Sequence, residues 1–586
     1  MVGWTTAMGT GDQMTSKASA EQHMAEVRWE APGPGPWESE RAHYGKAVPR
    51  FAQRAIAEGF ASGFAESTAR FGLLLSHFEV AFVNDFFYQQ PAAFGAPKGA
   101  KGPPPKPILW LLTRVHPAMR ARIAVGKLAF EQRVWLEDLK QWDTVDKPNA
   151  EKKHRSLLAV GVAAMDDAAL AEHLNECERH AAAMIHLHHR YTITCTLPTG
   201  DFLAHASDWT GKPAGEILQL LRGSTPVSLG YSAKELSALT DALEADAGAR
   251  DELLKVRPAA ETLAALAAHP GQVGFAARAF VELVSHRAVS YDVADKTTGE
   301  MPEIIVGAIR GSLGGGGRAK SDAVVGRLQA LRELVPVELR SRFDALLEEA
   351  RTVNRLRDER GMYADCWAIG IARRALLEAG RRLTERGKLS APDHAVNLTV
   401  AELGAALVGG AGPSRAEIDR RDAWRTSARI DDTPEFLGGV PSGPPPLSVL
   451  PAAAHRGVRA VDAVLSNLFK DTSRASEPTV VRGMSVNEGT YEGTARVIHD
   501  PSDFHRLQQG DVLITRATAP YFNVVLPLLG ALVTDRGGQL CHAAIVAREY
   551  GIPGVVGTKE ATRLIPDGAR VRVDGTSGEV HVLSAP

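Results

Sequence analysis

Thr534-Asp535-Arg536-Gly537-Gly538-Gln539-Leu540-Cys541-His542-Ala543-Ala544-Ile545-Val546-Ala547-Arg548-Glu549 is the stretch that decides how this chain is read. An apolar, strand-like run precedes it, Gly530 to Val533, and Gly551-Ile552-Pro553 follows it. The spacing predicts a helix from His542 to about Tyr550, stopped by that glycine and proline. His542 then stands in the first turn, where backbone N–H groups have no partner within the helix. Neutral imidazole is a competent nucleophile near pH 7, and protonated imidazole leaves readily. An anion carried on the ring would be stabilised by the free N–H groups and the positive end of the helix dipole. Gly537 and Gly538 let the backbone approach a phosphate without side-chain clash. The pattern points to His542 as a phosphoryl carrier, against the plainer reading of a capping or core histidine beside a tight turn. Either ring nitrogen could carry the group.

The stretch belongs to a longer pattern. It starts at Gly489-x-x-x-Gly493-x-Ala495-Arg496-Val497 and runs through Gly510-Asp511-Val512-Leu513-Ile514-Thr515-Arg516 and Thr518-Ala519-Pro520. After the histidine come Val556-Gly557-Thr558 and Asp567-Gly568 through Val573-Asp574-Gly575. On these residues the segment from Gly489 to Val582 resembles the mobile phosphohistidine domain of the phosphoenolpyruvate-utilising enzymes. That group includes pyruvate phosphate dikinase, phosphoenolpyruvate synthase, rifampicin phosphotransferase and phenylphosphate synthase. The resemblance implies a swivelling β/β/α domain in which His542 is phosphorylated. It also implies that Arg536 and Arg548 hold the phosphoryl group and that Gly537 and Gly538 form its turn. Cys541 departs from the family, which usually has Ser or Thr before the histidine. A thiol is a weaker hydrogen-bond donor than a hydroxyl, so slowed or retuned transfer is one expectation.

The chain has 586 residues, too many for one core, so two to four domains are expected. Apolar residues make up 44% and charged residues 23%, as in soluble globular proteins. A net charge of -2 gives no sign of a nucleic-acid or membrane-surface partner. The four cysteines, Cys177, Cys195, Cys366 and Cys541, show no Cys-x-x-Cys spacing, which argues against a zinc knuckle or a disulfide framework. A reducing cytoplasm is the expected compartment. The first ~25 residues lack a signal-peptide core, and the apolar run Phe522 to Val533 is too short to span a bilayer. The expected organisation is multidomain α+β. A disordered tail (1–30) leads into a large, mainly helical region (31–437), then a linker with a short helix (438–477) and the phosphohistidine domain (478–586).

Apolar positions recur at three and four over Phe51 to Phe87, Met119 to Trp142, Ala168 to His189, Ala233 to Leu266, Val324 to Arg351 and Arg355 to Arg386, predicting helices. Arg373-Arg374 and Arg381-Arg382 read as solvated helix faces. Val440 to Pro446 is a Pro/Gly linker before a helix at Ala452 to Leu468, and Ser473 to Pro478 leads into the carrier. A hinge there would give a carrier the reach to visit two sites. Val571 to Val573 and Val580 to Leu583 predict a closing hairpin. The Gly-rich stretch Gly311 to Arg318 lacks Gly-Lys-Ser/Thr and reads as a loop. No strand-rich ATP-grasp pattern precedes the carrier. The roughly forty residues after His542 are too few for a barrel of ~250.

Pro34-Gly35-Pro36-Trp37-Glu38 with His43, Ser285-His286-Arg287, Glu300-Met301-Pro302, Ala350 to Gly361 and Gly387 to Leu403 give the front half a patchier resemblance. It is similar to the acceptor side of rifampicin phosphotransferase and phenylphosphate synthase, and this implies acceptor binding. Arg355, Arg357 and Arg360 share a helix with Asp358 and Glu359. Guanidinium groups grip phosphoryl oxygens, so Arg357 and Arg360 are candidates, against an exposed helix held by i,i+4 pairs. His286 with Arg287 could deprotonate or hold the acceptor, against the plainer reading of a buried, hydrogen-bonded histidine. His173, Cys177, His180, Met184 and His188 fall on one helix face. They read as helix packing, as a pocket wall with His180 or His188 as base, or as a metal site, though no metal is assigned.

The leading expectation is a phosphotransferase component. In it, His542 is charged by an ATP-grasp-like kinase subunit and discharges to a hydroxyl of a small aromatic or alcohol acceptor. The resemblance implies ATP and Mg²⁺ on the partner. The alternatives are a non-catalytic phosphoryl relay or scaffold, and a lyase or dehydratase working through a phosphorylated intermediate.

Overall fold

The computed structural model describes residues 27–585 apart from 42, 98, 101, 103, 225–232, 314–320, 442, 444, 469–475, 478, 500, 520, 521 and 524. Most of the expected tail, most of the Gly-rich stretch and much of the expected hinge therefore lie outside the described residues. Among the described residues, no helix is long and apolar enough to cross a membrane.

The front of the chain is mainly helical. Helix α1 (Arg50–Arg70) packs along α2 (Asp167–Arg190), and α3 (Thr192–Thr210) follows directly. Small residues allow the first contact. A Cβ on Gly59 would lie 2.5 Å from the Ala182 carbonyl oxygen, and one on Gly63 would lie 2.4 Å from that of His186. Three helical pieces then run almost end to end, α4 (Arg340–Asn354), α5 (Leu356–Arg360) and α6 (Cys366–Glu385), with a π-helical turn at Gly361–Asp365 before α6. Helix α6 buries Trp367, Ile371, Ala375, Leu376 and Leu383 in the largest apolar cluster.

Two readings of this half need correction. The periodicity from Phe51 to Phe87 is not one helix. The helix ends at Arg70, and a hairpin follows, made of β2 (Leu75–Val83) and β3 (Phe86–Ala93). Asn84 and Asp85 take φ of 51° and 66°, the two left-handed positions of a type I′ turn, which matches the twist of the paired strands. With β1 (Trp37–Ser39) and β4 (Phe436–Leu437) they form a sheet of order β2-β3-β1-β4. Nor is Arg373 on a solvated face. It is 3% exposed and pairs with Glu300 and Asp393, stapling α6 to two loops.

Helix α7 (Ala452–Leu468) bridges to the C-terminal domain. That domain is an eight-stranded sheet built from β5 (Val480–Arg482), β6 (Met484–Asn487), β7 (Thr490–Ile498), β8 (Asp511–Thr515), β9 (Leu529–Thr534), β10 (Gly554–Val556), β11 (Arg570–Asp574) and β12 (Glu579–Ser584). Their order is β5-β12-β11-β7-β8-β9-β10-β6. Strands β7 to β10 are mutually parallel, and β11 and β12 form the hairpin predicted above. Strand β8 is buried on both faces, as central parallel strands are. Val512 and Ile514 face one apolar cluster, and Leu513 faces the other. The second cluster takes in helix α8 (His542–Tyr550) together with Val289, Met301 and Ile304 of the helical half. The two halves therefore share a core on the side of the sheet where α8 lies.

Candidate active site

Helix α8 begins at His542 and ends at Gly551, whose φ of 66° closes the last turn. Cys541 is the N-cap, and its Sγ accepts from the Ala544 N–H at 3.5 Å. Thr518 Oγ1 lies 2.9 Å from Nδ1 of His542, and Asn523 Oδ1 lies 3.0 Å from Nε2. Asp358 Oδ1 is 3.9 Å from the same Nε2. Burial, reinforced by the Arg357 charge, pushes the imidazole pKa down to about 3. The ring is therefore neutral near pH 7, the state a nucleophile needs.

Helix α5 forms the facing wall. Arg357 donates from Nη2 to the Leu540 carbonyl at 2.7 Å, while its buried Nη1 has no protein partner. Burial pushes the Asp358 carboxyl up to about 7 despite the Arg357 charge, with Glu549 adding to the rise. Its Oδ2 is also without a partner. Arg360 donates from Nη1 to the His188 carbonyl at 3.1 Å and to the Thr192 hydroxyl. Arg355 turns away and pairs with Asp143 and Glu359.

Both walls open on a cavity of about 2440 Å³. The C-terminal domain contributes Thr518, Arg536, Gly537, Cys541 and His542. The helical half contributes Arg357, Asp358, Arg360 and Asp365, with Phe60, Phe64, Phe78, Phe87, His188 and His189. His189 stacks on Phe64 at 4.7 Å, and burial with the neighbouring His188 holds its pKa well below the usual range. A group on His542 would thus lie between unpaired buried polar atoms and a mainly apolar chamber that includes a cluster of aromatic rings.

Not every candidate reaches this place. Gly537, at φ 113°, lines the cavity, but Gly538 serves a packing role instead. A Cβ there would lie 2.3 Å from the Asn467 carbonyl at the end of α7. Arg548 is buried behind the loop, where it donates to the Gln539 carbonyl at 2.6 Å and to the Gln539 side chain. It braces the turn and does not border the cavity. Arg536 borders the cavity but reaches Asp431 at 3.4 Å, a carboxylate shared with Arg516 and Arg41. The helix-face residues diverge along α2. His188 lines the cavity, whereas His180 turns into the core, with Nε2 2.9 Å from His154 Nδ1. His173 lies 3.6 Å from Cys177. Among the described residues, no three such side chains converge as a metal-binding group. His286 lines a separate small pocket beside Arg155 and Trp367. Arg287 is fully buried over the rings of Tyr363 and Trp367. Sequence reasoning gave no role to Asp358, Asp365, Thr518 and Asn523. Thr518 lay inside a quoted motif, but nothing in the spacing paired it with His542.

Comparison with known proteins agrees with this architecture. Residues 507–578 match the family model described as "PEP-utilising enzyme, mobile domain", and residues 195–358 match "Rifampicin phosphotransferase fourth domain". The C-terminal domain is thus similar to the mobile domain of that enzyme group. An uncharacterized phosphotransferase of Bacillus subtilis is 28% identical over 246 residues, 42% of this chain and 28% of that protein. An uncharacterized protein of Mycobacterium tuberculosis is 31% identical over 325 residues, 55% of this chain and 33% of its own length. A rifampicin phosphotransferase of Bacillus cereus is 42% identical over 120 residues, 20% of this chain and 14% of that enzyme. The chain spans about a third or less of the length of these relatives.

Proposed function

We propose that this chain is a phosphotransferase component that carries a phosphoryl group on His542 and delivers it to a hydroxyl of an acceptor bound in the cavity. The carrying observation is the position of His542. A neutral, buried imidazole at a helix N-terminus faces a chamber supplied mainly by the other half of the molecule. Phosphoryl transfer needs positioning and charge stabilisation more than covalent help from the protein. The free Nη1 of Arg357 and the first-turn N–H groups of α8 supply both. The neutral ring is held between two partners: Nε2–H donates to Asn523 Oδ1 and Nδ1 accepts from the Thr518 hydroxyl, and the nitrogen that bonds phosphorus gives up its partner. At a pKa of about 7, Asp358 can hold a proton and donate to a phosphoryl oxygen in place of repelling it.

The aromatic lining favours an aromatic or other apolar alcohol. The cavity exceeds the ~300–1,000 Å³ usual for small-molecule pockets, so it has room for more than one ring. The docked arrangement is the discharging one, and charging requires the C-terminal domain to leave. An ATP-grasp-like partner with ATP and Mg²⁺ is the proposed charger, on the strength of the carrier domain's similarity to the phosphoenolpyruvate-utilising enzymes. A reducing cytoplasm is the proposed compartment.

The test uses ATP labelled in its β- and γ-phosphates, Mg²⁺ and the candidate kinase subunit. The expected result is an acid-labile, base-stable label on the wild-type chain that His542→Ala abolishes. A full label on that variant refutes the proposal.

A further inference from the structure

We propose that His188, oriented by Asp365, is the base that takes the proton from the acceptor hydroxyl. This rests on the transfer reading above and adds the second half of its chemistry.

His188 sits in the last turn of α2 and lines the cavity with its side chain 12% exposed. Its Nδ1 lies in contact with Asp365 Oδ2, though not aligned as a hydrogen bond. Asp365 also lines the cavity, is 5% exposed, and leaves Oδ1 without a hydrogen-bond partner. The residue ends the π-helical turn Gly361–Asp365, and such widened turns inside helices recur at functional sites. Stability alone does not explain the pair. Buried ion pairs contribute little net stability, and an orphaned carboxylate oxygen is itself unfavourable. Burial opposes charge on both members, holding His188 low and Asp365 high. With the ring proton of neutral His188 on Nδ1, facing Asp365 Oδ2, the basic atom left on His188 is Nε2. His43 is the nearest rival. Its side chain is 52% exposed, its Nδ1 is engaged by Glu40 at 3.0 Å, and its pKa is raised, which favours the cation that cannot act as a base.

The acceptor oxygen attacks phosphorus as His188 Nε2 takes its proton. The P–N bond to His542 breaks, and its electron pair returns to the ring. The ring leaves as neutral imidazole because its other nitrogen already carries a proton. The protonated His188–Asp365 pair then releases the acceptor's proton to solvent, as the net proton of the transfer.

The experiment compares wild type, His188→Gln and Asp365→Asn, each first charged on His542, in single-turnover discharge to 2-naphthol and to 4-nitrophenol. 4-Nitrophenol ionises near neutral pH and needs no base, whereas 2-naphthol does. The inference expects His188→Gln to lose about a hundredfold or more with 2-naphthol. With 4-nitrophenol it should stay within several-fold of wild type, and added imidazole should restore part of the 2-naphthol rate. Asp365→Asn should show the same selectivity with a smaller loss. Equal losses with both acceptors mean a structural role and overturn the inference. So does charged wild type that transfers to neither acceptor, with the carrier reading left standing. Failure of wild type to charge sinks the carrier reading itself and is seen before any acceptor is added.

Discussion

Arg357→Met tests the reasoning about the site most directly, because one side chain serves two purposes. Its Nη2 holds the Leu540 carbonyl at 2.7 Å, joining α5 to the loop that presents His542. Leu540 is 1% exposed, so the substitution orphans a buried carbonyl. A hydrogen bond from a charged group contributes about 1.5–3 kcal/mol. At 1.4 kcal/mol per factor of ten, docking weakens by roughly ten- to a hundredfold. The unpaired Nη1 is the second part, because a preorganised donor aimed at developing charge is worth about 10²–10³ in rate. Discharge from pre-charged enzyme, followed by rapid quench, should therefore slow by about 10²–10³ even if docking remains saturated. Loading of His542 should stay within a few-fold, since the carrier is charged away from α5. Arg357→Lys should fall between, keeping charge but losing the two-pronged geometry. Normal discharge with impaired loading would refute the assignment, and so would no change in either.

Three further outcomes follow from particular contacts. Cys541→Ser replaces a poor N-cap acceptor, now 3.5 Å from the Ala544 N–H, with a good one; denaturant unfolding of the C-terminal domain should gain about 0.5–1 kcal/mol. Gly200→Ala places a Cβ 2.0 Å from the Ala460 carbonyl, so α7 must shift off α3; a loss of about 1–3 kcal/mol is expected, together with faster proteolysis around α7. Asp358 and His542 give opposite pH slopes. A carboxyl raised from 3.8 to about 7 holds a proton the unfolded chain has released, so its contribution falls as pH rises through that window. A histidine lowered from 6.5 to about 3 contributes stability that grows with pH up to 6.5. Asp358→Asn removes only the falling part, so its stability relative to wild type should improve steadily from pH 4 to 7 in urea titrations. A difference that stays flat over that range contradicts the raised carboxyl.

Much of the C-terminal domain could be read from local sequence. The helix His542–Tyr550, the glycine that ends it and the hairpin across Asp574-Gly575 rest on short-range rules of capping, apolar spacing and turns. Helix α7 was legible from Ala452 to Leu468 for the same reason. The hairpin at Asn84-Asp85 was missed although its signal was local. Phe78, Phe82 and Phe87 fit both a three-four spacing and a two-residue alternation, and the helical reading took in a turn that should have broken it.

The candidate site divides along the same line. That a neutral imidazole at a helix start could carry a phosphoryl group followed from about a dozen consecutive residues, because helix dipole, capping and glycine geometry act over one turn. That Arg357, Asp358, His188 and Asp365 surround the chamber it faces, while His180, His286, Arg287 and Arg548 do not, was decided only when distant segments packed. A helix face spans roughly 100°, so shared periodicity places His180 and His188 on one stripe without saying what each stripe position meets. A π-helical turn, two glycines that let α1 approach α2, and the docking of Leu540 onto α5 settle that question. None of them is encoded within the few residues that a sequence motif spans.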